Sequence, residues 1–131
     1  MRNKILLLLR HGKSSWKHPD LDDHDRPLGK RGKRDAPRMG KLLKEEDLIP
    51  DLIISSTAKR SKKTAQAVVE SSGYAGKIDL NPSLYSADPE AYLKALRRVR
   101  DEFNMVLIVG HNPALENLVS MLTSKSESMP T

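Results

Sequence analysis

The chain has 131 residues, a formal net charge of +6 and no cysteine. That length supports one domain with its own core and is too short for two ordinary ones. The absence of cysteine excludes disulfides, thiolate nucleophiles and cysteine-ligated metals, and the positive charge favours anionic partners, either nucleic acid or phosphorylated substrates.

The first element is the uncharged run Ile5-Leu6-Leu7-Leu8-Leu9, which reads as a strand buried on both faces and central to the sheet. It is shorter than the roughly 7–15 apolar residues of a signal-peptide core or the ~20 of a membrane span, so the expected setting is the cytoplasm, with no membrane. The run stops at Arg10-His11-Gly12. A cation and an imidazole thus stand at the carboxyl end of a strand, where open α/β sheets bind ligands, and Gly12 permits a tight turn. Residues 13–29 show no apolar period and are punctuated by Pro and Gly, so they form a long surface loop. Its histidines and aspartates lack metal-ligand spacing and are read as a solvated acidic stretch.

A helix is expected from Lys30, with Ala36, Met39, Leu42 and Leu43 as its apolar stripe and Pro37 near its first turn or marking a late start. Asp51 to Ser56 is a second short buried strand. Thr57 is placed as the cap of a helix reaching about Ser72, with Gly73 as its stop. Lys59 and Arg60 in that helix's first turn oppose the helix dipole unless an anion binds there. Lys77–Asn81 is a weak strand closed by Pro82. Asp88 to Arg100 is a helix capped by Asp88, with Tyr92, Leu96, Val99 and Phe103 as core. Met105-Val106-Leu107-Ile108-Val109 repeats the pattern of the first strand and ends in Gly110-His111-Asn112-Pro113, and a last helix carries Leu115, Leu118, Val119 and Leu122.

Strands alternating with helices at this spacing imply α/β architecture, a parallel sheet with helices on both faces. All carboxyl ends then lie on one edge, which collects Arg10, His11, Arg60 and His111. Two arginines and two histidines suit a phosphoryl group. Guanidinium forks pair with phosphate oxygens, one imidazole can attack phosphorus, and a second, if protonated, stabilises the equatorial charge. Scarce aromatics, none interleaved with basic clusters, argue against nucleic acid as the ligand.

Leu9-Arg10-His11-Gly12, Ser55-Ser56-Thr57-Ala58-Lys59-Arg60 and Val109-Gly110-His111-Asn112-Pro113 resemble the three signatures of the histidine phosphatase, or phosphoglycerate mutase-like, superfamily. Arg10 to Trp16, with Asp25-Arg26-Pro27-Leu28 and Arg31-Gly32, is similar to its short phosphohistidine phosphatase branch, the SixA type. The resemblance runs from Lys4 to about Leu122. It implies a three-layer α/β/α sandwich with a mostly parallel central sheet, in which the strand ending at His111 lies beside the one ending at His11. It further implies that His11 is the nucleophile, that Arg10 and Arg60 clamp the phosphate and that His111 completes the pocket. Gly12, Lys13, Ser14, Arg26 and Asn112 would contact the substrate, with no metal or other cofactor.

Two departures bear on function. Mutase-type members carry a general-acid Glu soon after the third strand, where this chain has Leu84-Tyr85-Ser86 and no carboxylate until Asp88 and Glu90. Met129-Pro130-Thr131 resembles the start of the family's final strand, so the expectation is either a shortened C-terminal strand region or a sheet that ends early beside the first strand. A missing acid costs less when imidazole leaves than when an alkoxide leaves. The expected activity is therefore metal-independent hydrolysis of phosphohistidine on a protein, through phosphorylated His11. The alternatives are a small-molecule phosphomonoesterase of the same superfamily, with Asp88, Glu90 or an acid of residues 20–25 as donor, and an inactive phosphate- or nucleic-acid-binding module.

Overall fold

The computed structural model describes residues 4–10, 22–85 and 88–123. Four strands, β1 (Ile5–Arg10), β2 (Leu52–Ser56), β3 (Ile78–Asn81) and β4 (Met105–Gly110), alternate with four helices, α1 (Lys30–Glu45), α2 (Lys59–Ser72), α3 (Pro89–Arg97) and α4 (Ala114–Thr123). The described strands are all parallel, in the order β1-β4-β2-β3.

Period-2 alternation along each strand divides the core between the two faces of the sheet. Ile54, Val106 and Ile108, with Leu6 and Leu8, pack against Tyr92 and Ala95 of α3 and Leu115 and Leu118 of α4. Their neighbours Ile53, Leu107 and Val109, with Leu7 and Leu9, pack against Met39 and Leu43 of α1 and Ala65 and Val68 of α2. The result is the expected three-layer sandwich. α1 and α2 approach closely at Gly40, where an added Cβ would lie 2.9 Å from the Val68 carbonyl.

Several expectations are corrected. β1 pairs only with β4 among the described strands, and its leucines are half-buried, with Ile5 48% exposed. β4 and β2, each with a neighbour on both sides, are the central strands instead. Leu42 and Leu122 are 45% and 47% exposed. Leu42 yields its place because α1 meets α2 through Ala36, Met39, Gly40 and Leu43. Pro37 lies well inside α1, whose start is fixed by Lys33 N–H donating to the Gly29 carbonyl, 3.0 Å. α3 ends at Arg97 rather than Arg100; its expected cap is present, with the Asp88 carboxylate accepting from Glu90 N–H, 3.0 Å. Gly73 ends α2 at φ +82°, a left-handed conformation that favours glycine. No helix among the described residues is long and apolar enough to cross a membrane.

Candidate active site

The parallel register sets the carboxyl ends of β1, β4 and β2 side by side, with Arg10 opposite Gly110 and Ser55 opposite Val109. β2 leaves the sheet through Ser55 and Ser56, both fully buried. Thr57 is not the cap of α2; Ala58 holds that position without a side-chain cap. The Ser56 hydroxyl accepts from Ala58 N–H at 3.2 Å instead, and Thr57 Oγ1 bonds His24 Nε2 at 2.9 Å. α2 then delivers Arg60 from its first turn, where no acid offsets the positive end of the helix dipole.

Arg60 is buried, and its fork is aimed at Asp23. Nη1 donates to the Asp23 carbonyl at 2.6 Å and Nη2 to Asp23 Oδ2 at 2.9 Å. Oδ2 also accepts from the Tyr85 hydroxyl at 2.6 Å. The Tyr85 bond, and then Arg60, hold the Asp23 carboxyl below its ordinary range despite partial desolvation; the same bond pushes the Tyr85 phenol up. The Tyr85 ring packs nearly perpendicular to both His24 and His111, with centroid distances of 4.9 and 5.6 Å.

His111 is buried at the end of β4. Its Nε2 lies 2.8 Å from Ser56 Oγ and 3.5 Å from Ser61 Oγ, the donor in each being set by the imidazole tautomer. Its backbone N–H donates to the Tyr92 hydroxyl at 3.1 Å, and that hydroxyl donates to the Leu84 carbonyl at 2.9 Å. Tyr92 is thus core, as expected, and also ties the residues after β3 to the start of the His111 turn. Burial pushes its phenol up, so it stays protonated and able to donate.

Of the residues singled out in the sequence, Arg60 and His111 come together in one cluster. Arg10 ends β1 beside Gly110 and is exposed. Arg26 is buried, 3% exposed, and Asn112 is exposed with its amide directed to Glu116 at 3.4 Å. His11, Gly12, Lys13 and Ser14 lie outside the described residues. Asp23, Tyr85, Ser56 and His24 were missed. The sequence reads Asp23 as one acid of a solvated stretch, or as one of the candidate donors at 20–25, whereas it is the carboxylate that meets Arg60. No group of three or more His, Asp or Glu among the described residues could hold a metal ion. The cluster offers a guanidinium, an imidazole and hydroxyls to an anion, with a carboxylate and a phenol setting the position of the guanidinium.

Comparison with known proteins identifies the family and the fold. The family model described as "Histidine phosphatase superfamily (branch 1)" matches residues 6–88. An Arabidopsis thaliana chloroplast protein is 33% identical over 138 residues, spanning 98% of this chain and 63% of its own length. A Mycobacterium tuberculosis protein is 34% identical over 119 residues, covering 90% of this chain and 72% of the relative. The structure assigned as the phosphohistidine phosphatase SixA from Agrobacterium tumefaciens superposes with a TM-score of 0.82 at 34% identity, covering 90% of this chain and 75% of that one. SixA solved with tungstate superposes with a TM-score of 0.80 at 24% identity, over 96% of this chain and 80% of that one, and shares the fold. On the family match, the motifs at β1, α2 and β4 and the fold they build, the chain belongs to branch 1 of the histidine phosphatase superfamily.

Proposed function

We propose that this protein is a metal-independent phosphohistidine phosphatase that works through a phosphorylated His11. Imidazole nitrogen of His11 attacks phosphorus as the bond from phosphorus to the substrate's imidazole breaks. Water then displaces His11 and releases inorganic phosphate. Arg60 and Arg10 hold the equatorial oxygens, and a protonated His111 stabilises the charge spread over them. Arg26, Asn112 and the backbone and side chains of Gly12, Lys13 and Ser14 complete substrate binding.

The observation that carries the choice of substrate is Tyr85. It occupies the stretch after β3 where mutase-type members place a general-acid Glu, and its phenol is a weaker acid than usual because it donates to Asp23. A strongly basic alkoxide leaving group needs a proton in the transition state, whereas imidazole leaves a protonated phosphohistidine as a neutral molecule. The site is better matched to cleavage of phosphorus from nitrogen than from oxygen. The A. tumefaciens structure assigned as a SixA phosphohistidine phosphatase, 34% identical, supports the same substrate class.

Rapid quench with labelled phosphohistidine tests the reading. Label is expected on His11 in an acid-labile, base-stable form, and His11→Ala is expected to abolish turnover. Label on a serine or aspartate, or fast turnover of a sugar phosphate with none of phosphohistidine, would overturn it. EDTA is expected to leave the rate unchanged; full loss restored by a divalent ion would exclude the metal-free route.

A further inference from the structure

A second concave surface lies on the α1/α2 side of the molecule. Pro27, Leu28, Ala36 and Ala67 form its apolar floor, and Lys33, Lys59 and Lys63 border it, enclosing about 380 Å³. Among the described residues no acid lines it. Lys33 comes from the first turn of α1 and Lys59 from the first turn of α2, and neither turn contains an acid. Lys33, Lys59 and Lys63 are exposed, and none makes an ion pair among the described residues. The groove adjoins the candidate active site through the chain itself, since Lys59 precedes Arg60 and Pro27 follows Arg26.

Three like charges around an apolar floor, two of them in the first turns of helices, favour an anionic partner. The floor discriminates between anions. Leu28, Ala36 and Pro27 offer no aromatic face for a base to stack on, so the surface is poorly suited to single-stranded nucleic acid. An aliphatic side chain entering the groove between carboxylates would meet both its shape and its charge. We propose that this groove docks an acidic, leucine-bearing segment of the phosphorylated partner protein, holding it beside the site that removes its phosphoryl group. The proposal rests on the phosphohistidine phosphatase reading for the partner's identity, and the groove itself is tested without catalysis.

The test uses a fluorescein-labelled, unphosphorylated peptide of alternating leucine and glutamate, read by anisotropy on the full chain. Saturable binding is expected, weakening as salt rises. The double variant Lys33→Glu, Lys63→Glu is expected to weaken it about tenfold or more, as two charge contacts become repulsions. Ala67→Phe, which fills the groove from the half-buried face of α2, is expected to weaken it without changing charge; circular dichroism checks that each variant folds. Equal binding by the double variant, equal binding of an all-glutamate peptide, or tighter binding of a single-stranded oligonucleotide would each overturn the proposal. With a phosphohistidine peptide carrying the same flank, the double variant is expected to raise KM and leave kcat unchanged, and turnover of free phosphohistidine is expected to stay at the wild-type rate. Peptide binding with no turnover of any phosphohistidine substrate would sink the proposed activity and leave the groove. Normal turnover of free phosphohistidine with no peptide binding would remove the groove alone.

Discussion

Asp23 holds Arg60 at two points, carbonyl to Nη1 at 2.6 Å and carboxylate to Nη2 at 2.9 Å. Both acceptors belong to one residue, so the guanidinium plane is set by the position of a single short turn, Asp23–Asp25. The planar fork makes both contacts with a fixed geometry that a lysine ammonium does not impose. Arg60→Ala is expected to cost on the order of 3 kcal/mol in transition-state stabilisation, and Arg60→Lys is expected to recover little of it, measured as kcat/KM. Wild-type kcat/KM in Arg60→Lys would show that a diffuse positive charge is sufficient there.

The same pair makes a pH prediction. The Tyr85 hydrogen bond, followed by Arg60, lowers the Asp23 carboxyl below its ordinary 3.8. A group whose pKa is depressed on folding contributes stability above the unfolded value and loses it as pH falls through the folded one. The wild type is therefore expected to melt above Asp23→Asn at neutral pH. The difference in Tm should begin to shrink near pH 3.8 and close further into acid. Because the Asp23 side chain is 54% exposed, the difference should be small and should diminish with salt. A difference that grows toward low pH would contradict the ionised pair.

Tyr92 makes a stability prediction. Its fully buried hydroxyl accepts from His111 N–H and donates to the Leu84 carbonyl, so Tyr92→Phe strands one donor and one acceptor. Leaving such groups unpaired costs roughly 1–3 kcal/mol each, so a combined loss of about 2–6 kcal/mol is expected in denaturant unfolding. Gly110→Ala should act on the same contact, because its new Cβ would collide with the Tyr92 hydroxyl. A Tyr92→Phe protein as stable as the wild type would mean that the hydroxyl does not organise the His111 turn.

The sheet and its active edge were legible because the apolar runs of β2 and β4 and the helix stripes follow their periods, and because each site motif follows directly after a strand. Among the described strands the first run is not central, and the reason is physical. A run of leucines signals two covered faces but says nothing of which strand pairs on either side, and in the described sheet β1 has only β4. Asp23 was illegible for a different reason. Among the aspartates at 20–25 nothing local marks the one that α2 will meet, since its partner lies 37 positions away. Tyr85 was noticed only as a missing acid, because the hydrogen bond that gives it a role spans 62 positions.

The last prediction concerns proton donation. Asp23 is held ionised and Tyr85 is a weakened acid, so these two groups beside Arg60 are both poor donors at neutral pH. If imidazole is the leaving group, none is required. Asp22→Asn, Asp25→Asn, Asp88→Asn and Glu90→Gln are expected to leave most of the rate, as is Asp20→Asn, which lies outside the described residues. Asp23→Asn and Tyr85→Phe are expected to cost about tenfold or less in kcat/KM through misplacement of Arg60, while the basic limb of the pH profile of kcat persists. The limb is the decisive readout, since a positioning defect lowers the whole profile and loss of a donor removes its dependence at high pH. A fall of roughly a hundredfold or more in kcat from any one of these substitutions, with the basic limb gone, would identify a general acid. The site would then be equipped for an alkoxide leaving group, and a phosphomonoester would replace phosphohistidine as the substrate.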